Sequence, residues 1–156
     1  MNLMDRDIEA IVIHCLREGL RQHVGVAQIG SLLHGYDYAL ENATRLPTEG
    51  DFLHLAGIIE PSNGGRYRQT PVTFANGGSS CAPGQIAQTM GRLFGFLDAE
   101  TDAEEFTKAV LQVHPFSDGN GRTGFILRNW LNGTLVTPEP LPYYFGEKEQ
   151  ERGMGL

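Results

Sequence analysis

The chain has 156 residues with a formal net charge of −7 at pH 7; 40% of them are hydrophobic, 20% are charged, and 20 are glycine. That length suits one domain with a real core, and the mixture is that of an ordinary globular protein, which sets aside disordered, collagenous and membrane-spanning classes. The acidic balance sets aside nucleic acid as a partner, because affinity for a phosphate backbone is supplied by Lys and Arg.

From Met4 to about His23, Ile8, Ile11, Val12, Cys15, Leu16 and Leu20 recur at helical spacing among charged residues, which predicts an amphipathic helix packed on its apolar face. Asp5, Arg6, Asp7 and Glu9 near its start do not fit a signal peptide, and no run of about 18 apolar residues occurs. A second helix is expected from about Val26 to Ala43, and a third after Pro47 with Phe52, Leu53, Leu55, Ala56 and Ile59 as its apolar positions. Pro61 to Gly65 is turn chemistry, and RYRQTPVTFANGG predicts the one strand or hairpin of an otherwise helical chain. Helices follow from about Pro83 to Leu97, Thr101 to Val113 and Arg122 to Leu131, with a frayed tail from Pro138. Cys15 and Cys81 show no metal or disulfide spacing, which suits a reducing compartment, either the cytoplasm or a host cytoplasm into which the protein is delivered.

The reactive residue types concentrate in His114-Pro115-Phe116-Ser117-Asp118-Gly119-Asn120-Gly121-Arg122, between two predicted helices. Pro115 disfavours helical geometry at the residue before it, which places His114 at the exit of the preceding helix. Gly119 and Gly121 allow close approach of backbone to a ligand, and Asn120 adds an amide. The next helix starts here, so its unpaired N–H groups and positive dipole end form a phosphate site, to which Arg122 adds a planar donor fork. Asp118 is the hard oxygen ligand that Mg²⁺ takes when phosphates complete its shell. His114 can accept a proton near neutral pH. Base, metal ligand and phosphate cradle within nine residues point to attack of a hydroxyl on a nucleotide phosphate.

Other matches fail. Gly119, Gly121 and Gly124 satisfy G-x-G-x-x-G, but a dinucleotide fingerprint follows a strand, and here a helix precedes it. A calcium loop beginning at Asp118 would need Glu where Asn129 stands. The plain alternative is a solvated turn with Asp118 capping the next helix. It leaves the glycines flanking Asn120, and the His and Arg at the two ends, without a reason.

HPFSDGNGR resembles the H-P-F-x-D/E-G-N-G-R motif of the Fic (filamentation induced by cAMP) family. LHLAGIIEPSNGGRYR, followed by PVTF, is similar to the family's segment that ends in G-x-Y-R and leads into a β-hairpin flap, and Tyr143-Tyr144 is a third likeness. The resemblance covers about residues 37 to 145. It implies a mainly α fold, a Fic-like helical bundle with one short β-hairpin flap, forming a single domain over residues 1–156. It also implies an enzyme that transfers AMP from ATP, with Mg²⁺, to a Tyr, Thr or Ser hydroxyl of a target protein. On this likeness His114 is the general base, Asp118 the Mg²⁺ ligand, Gly119, Asn120 and Gly121 the anion hole for the α-phosphate, and Arg122 the clamp on the β- and γ-phosphates. Val72, Thr73 and Phe74 of the flap would dock the target segment. The partners implied are that target and an antitoxin or regulator, with neither nucleic acid nor membrane.

The likeness departs from the family at one point. The motif usually carries a second arginine three residues after the first, and here Phe125 stands there, reading as a core residue. Arg128 lies a helix turn further on and is no simple substitute. Asp37-Tyr38-Ala39-Leu40-Glu41-Asn42 resembles the family's inhibitory helix pattern, whose glutamate pairs with that second arginine, so Glu41 is either an inhibitory residue or an exposed helix residue. Two alternatives to AMP transfer stay open: phosphate or phosphocholine transfer with the nucleotide turned round, and a non-catalytic module that uses the fold to bind a partner.

Overall fold

A computed structural model describes residues 3–73 and 80–145. The described chain runs through six helices: α1 (Asp5–Arg21), α2 (Val26–Glu41), α3 (Glu49–Ile59), α4 (Pro83–Gly95), α5 (Ala103–Val113) and α6 (Asn120–Asn132). A single 3-10 turn at Pro61–Asn63 follows α3. The helices are mainly those that the apolar periodicity predicts. The expected β-hairpin flap is not seen: among the described residues there is no strand. Phe74 of that expectation lies outside the described residues. No helix among them is long and apolar enough to cross a membrane.

Local chemistry sets the helix ends. Thr48 and Asp51 cap α3 reciprocally, the Asp51 N–H donating to the Thr48 hydroxyl at 3.1 Å and the Thr48 N–H to the Asp51 carboxylate at 2.8 Å. Pro83 occupies the first turn of α4, where its missing N–H costs nothing. The Asp102 carboxylate takes the Glu105 N–H at the start of α5. Gly133, at φ +69°, stops α6 with the left-handed turn that glycine adopts freely.

Helix α6 is the central element, buried from Asn120 to Trp130. On one side Phe125, Ile126 and Trp130 join Leu55 and Ile59 of α3, Leu32 and Tyr36 of α2 and Cys15 of α1. On the other, Leu127 joins a second apolar cluster with Phe52, Ile86, Met90, Val110 and Phe116. Each fully buried aliphatic or aromatic side chain is worth about 1.5–3 kcal/mol of transfer free energy, so these two clusters hold α6 and the loop before it.

The packing of α1 meets the expectation at Ile11 and Cys15 and departs from it at the other apolar positions. Ile8, Val12, Leu16 and Leu20 are largely exposed, while Ile11, Cys15 and Gly19 face inward. The reason is size. A Cβ on Gly19 would lie 2.7 Å from the Ile29 side chain, so the face with the smaller residues is the one that lets α1 approach α2 closely.

Candidate active site

The loop from His114 to Gly119 connects α5 to α6, and its own residues hold its shape. Phe116 is fully buried between Phe52 and Tyr67, with ring centroids 5.3 and 5.8 Å apart, and anchors the loop in the second apolar cluster. Asn120, at the first position of α6, bonds the Phe116 backbone in both senses: the Phe116 N–H donates to Asn120 Oδ1 at 3.0 Å and Asn120 Nδ2 donates to the Phe116 carbonyl at 2.8 Å. The amide side chain of Asn120 is thus spent on folding the loop back onto the helix start. What it leaves for an anion is backbone, the first-turn N–H groups of α6 that have no partner within the helix.

Gly119 requires its glycine. Its φ is +82°, and a Cβ there would lie 3.2 Å from Glu60 Cβ. The Thr123 N–H and hydroxyl both donate to the Gly119 carbonyl, at 3.0 and 2.8 Å, which closes the first turn of α6. The Gly119 N–H donates to Asp118 Oδ1 at 2.7 Å.

His114 is the C-cap of α5 and takes the left-handed conformation, φ +54° and ψ +63°. That region costs a residue with a Cβ about 1–2 kcal/mol, so the surroundings must enforce it. The side chain is buried. Burial pushes its pKa down from 6.5 to about 4; the Arg68 charge lowers it further and the Asp118 charge opposes both. At neutral pH the imidazole is therefore neutral.

Asp118 is exposed, its side chain 68% accessible, and its Oδ1 lies 3.4 Å from Arg122 Nη2. Its backbone carbonyl accepts from Asn63 Nδ2 at 3.0 Å, which fastens the loop to the 3-10 turn. Among the described residues no group of three or more His, Cys, Asp or Glu is arranged to hold a metal. One solvent-facing carboxylate beside the open N-terminus of a helix is nonetheless compatible with Mg²⁺, since that ion takes one or two carboxylates and completes its shell with phosphates and water. The residues present fit it.

Arg122 is buried to 2% exposure. Its Nη1 donates to the Ile59 carbonyl at 3.2 Å and its Nη2 to Glu60 Oε2 at 3.3 Å, so the guanidinium sits between the end of α3 and Asp118. Phe125, one turn along α6, is buried in the core with its ring 6.0 Å from that of Tyr36, as the reading of it as a core residue expects. Arg128 is committed elsewhere, with Nε on Glu104 at 2.6 Å and Nη2 on Glu139 at 3.4 Å. No second guanidinium of α6 joins Arg122.

Glu41 is exposed at the end of α2. At 100° per residue it lies about 140° around the helix from Tyr36, whose ring meets Phe125. The carboxylates at Arg122 are Glu60 and Asp118, not Glu41. Of the docking residues, Val72 is half-buried and accepts from the Ser80 N–H at 3.5 Å, and Thr73 is exposed.

Arg68 is a functional candidate that the sequence reading names only as part of G-x-Y-R. It is 5% exposed. Its Nε donates to the His114 carbonyl at 2.7 Å, and its backbone N–H to the Pro115 carbonyl at 2.9 Å. The Ser80 hydroxyl accepts from Arg68 Nη2 at 2.7 Å. A cleft of about 320 Å³ opens beside these groups, lined by Ser62, Asn63, Arg66, Tyr67, Gln69 and Ser117 together with Arg68. Glu60 carries no pattern of its own in the sequence; only the fold brings it to Arg122.

Residues 46–131 match the model of the Fic/DOC family. The chain is 34% identical over 117 residues to "Protein adenylyltransferase Fic" of Culex quinquefasciatus, covering 62% of this chain and 23% of that protein. The protein of the same name from Drosophila grimshawi is 34% identical over 85 residues, 49% of this chain and 17% of that one. The chain therefore spans about a quarter or less of the length of these relatives. Among solved structures, a Fic family protein from Desulfovibrio desulfuricans superimposes with a TM-score of 0.68 at 18% identity, over 86% of this chain and 53% of that one. Residues 134–508 of Fic-1 from C. elegans give 0.54 at 22% identity, over 73% of this chain and 39% of that one. Both likenesses concern the fold.

Proposed function

Because the chain belongs to the Fic/DOC family, we propose that it is a protein adenylyltransferase that moves AMP from ATP to a Tyr, Thr or Ser hydroxyl of a target protein. The observation that carries this reading is the loop His114–Arg122. It sets a neutral, buried imidazole at the exit of one helix and, four to eight residues later, an exposed carboxylate, the open N-terminus of a second helix and a guanidinium.

In this reading His114 accepts the proton of the target hydroxyl as its oxygen bonds to the α-phosphorus. The bond from that phosphorus to the bridging oxygen breaks, and pyrophosphate leaves. The first-turn N–H groups of α6, at Asn120 and Gly121, receive the charge that builds on the α-phosphate, a backbone anion hole shaped by Gly119 and by the Asn120 side chain. Arg122 clamps the β- and γ-phosphates. Asp118 would hold Mg²⁺, which when bound supplies charge neutralisation to the triphosphate. Val72, Thr73 and Phe74 would pair with an extended target segment and so present its hydroxyl to His114.

A second reading is favoured by the burial of Phe125 and by the commitment of Arg128 to Glu104. Without a second arginine for the γ-phosphate, the nucleotide is free to lie the other way round, and the transferred group is then phosphate. ATP labelled at either the α- or the γ-phosphorus separates the two. Label passing to protein only from the α-position supports AMP transfer; label passing only from the γ-position overturns it.

A further inference from the structure

We propose that Arg68 is a positioning residue for the transfer step: it holds His114 in the left-handed conformation and fastens it to both ends of the segment expected to dock the target. The proposal rests on the reading of His114 as the base.

The bonds are specific. Three successive carbonyls at the end of α5, those of Val113, His114 and Pro115, all turn to Arg68: Nη2 donates to Val113 at 3.4 Å, Nε to His114 at 2.7 Å and the backbone N–H to Pro115 at 2.9 Å. A helix ending at a left-handed residue leaves such carbonyls without partners of its own. The other donors of the same guanidinium reach the opposite side. Nη1 donates to the Thr70 carbonyl at 2.7 Å, and Nη2 to Ser80 Oγ at 2.7 Å and the Cys81 carbonyl at 2.6 Å. One buried side chain thus bonds residues on either side of Val72 and Thr73 and the backbone of the base.

The charge is placed to match. Among the described residues no carboxylate pairs with Arg68, and the negative end of the α5 dipole lies at the carbonyls it bonds. Only a planar fork with five donors can meet acceptors spread over both sides; a lysine would keep the charge at the helix end and lose the fork. Arg68→Lys therefore separates geometry from charge.

The test compares wild type, Arg68→Lys and Arg68→Met for kcat and KM in AMP transfer, for ATP affinity by calorimetry, and for the backbone chemical shifts of His114 by NMR. A misplacement on the scale of 1 Å costs about 100-fold in rate. Both variants are expected to lose kcat by about that factor while ATP affinity and the KM for ATP hold. The His114 shifts should leave their left-handed values while those of α1 stay in place. Unchanged kcat with unchanged His114 shifts would overturn the proposal. So would a loss of kcat with a matching loss of ATP affinity and shifts moving throughout the molecule, since that marks a general structural residue. Ser80→Ala removes one acceptor only and serves if the Arg68 variants do not fold: it should move the same His114 shifts, and their constancy would count against the proposal. If the wild type transfers no AMP, the AMP reading fails by itself, and the NMR comparison still decides the link from Arg68 to His114.

Discussion

Glu60, just past the end of α3, holds Arg122 at the first turn of α6, with Oε2 3.3 Å from Nη2 and Oε1 accepting the Ser62 hydroxyl at 3.0 Å. The guanidinium is therefore already engaged by a carboxylate, with which a triphosphate bound as proposed would compete. Glu60→Gln keeps the shape and removes the competing charge. It should tighten ATP binding by about tenfold, equivalent to about 1.4 kcal/mol. Calorimetric titration checks this, and an unchanged or weaker affinity would show that Glu60 orients Arg122 rather than competing for it.

Phe125 lies where the family motif usually carries a second arginine, and on the motif alone restoring that arginine improves ATP binding. The packing predicts otherwise. The ring is buried against Tyr36 in the first apolar cluster. Phe125→Ala should cost about 3–5 kcal/mol in urea unfolding. Phe125→Arg should cost at least as much, because it buries an unpaired charge, and should give no gain in ATP affinity. A stable, tighter-binding Phe125→Arg protein would contradict the account.

The His114 imidazole is held at about 4, against 6.5 in an unfolded chain. Between those values the unfolded state binds more protons, so stability is complete above about pH 6.5 and is lost as pH falls toward 4. About 2–4 kcal/mol is involved. Urea unfolding between pH 4 and 7 should show the wild type losing that much more than His114→Gln. Parallel losses in the two proteins would contradict the burial of a neutral imidazole.

Glu41 resembles an inhibitory glutamate in sequence, but its side chain is exposed and Arg122 has other partners. Glu41→Gly should leave the rate of transfer within about twofold, the range of an ordinary surface substitution. A large activation would restore the inhibitory reading.

Much of this site is legible in the sequence because its parts lie within nine residues. Pro115 fixes the helix exit at His114, the glycines mark where backbone must come close, and α6 begins where the loop ends. Periodicity also places the helices, but in α1 it does not choose between two apolar faces. There, apolar residues at spacing four occur on two faces, and the small side chains of Cys15 and Gly19 decided which one packs. The contributions of Glu60 and Arg68 were not legible, because each acts on a residue about 46 to 62 positions away. The two-sided bonding of Asn120 was equally hidden: a motif shows that an amide is present, not which backbone groups it serves.

His114 is the residue on which the proposed transfer of AMP to protein depends. The most direct test of this is mass spectrometry of a cell lysate incubated with Mg²⁺ and ATP together with either the wild-type protein or His114→Ala. An adenosine-monophosphate adduct on a Tyr, Thr or Ser side chain of a target protein is expected with the wild type and none with His114→Ala. An adduct of the same mass formed equally by both proteins would contradict it.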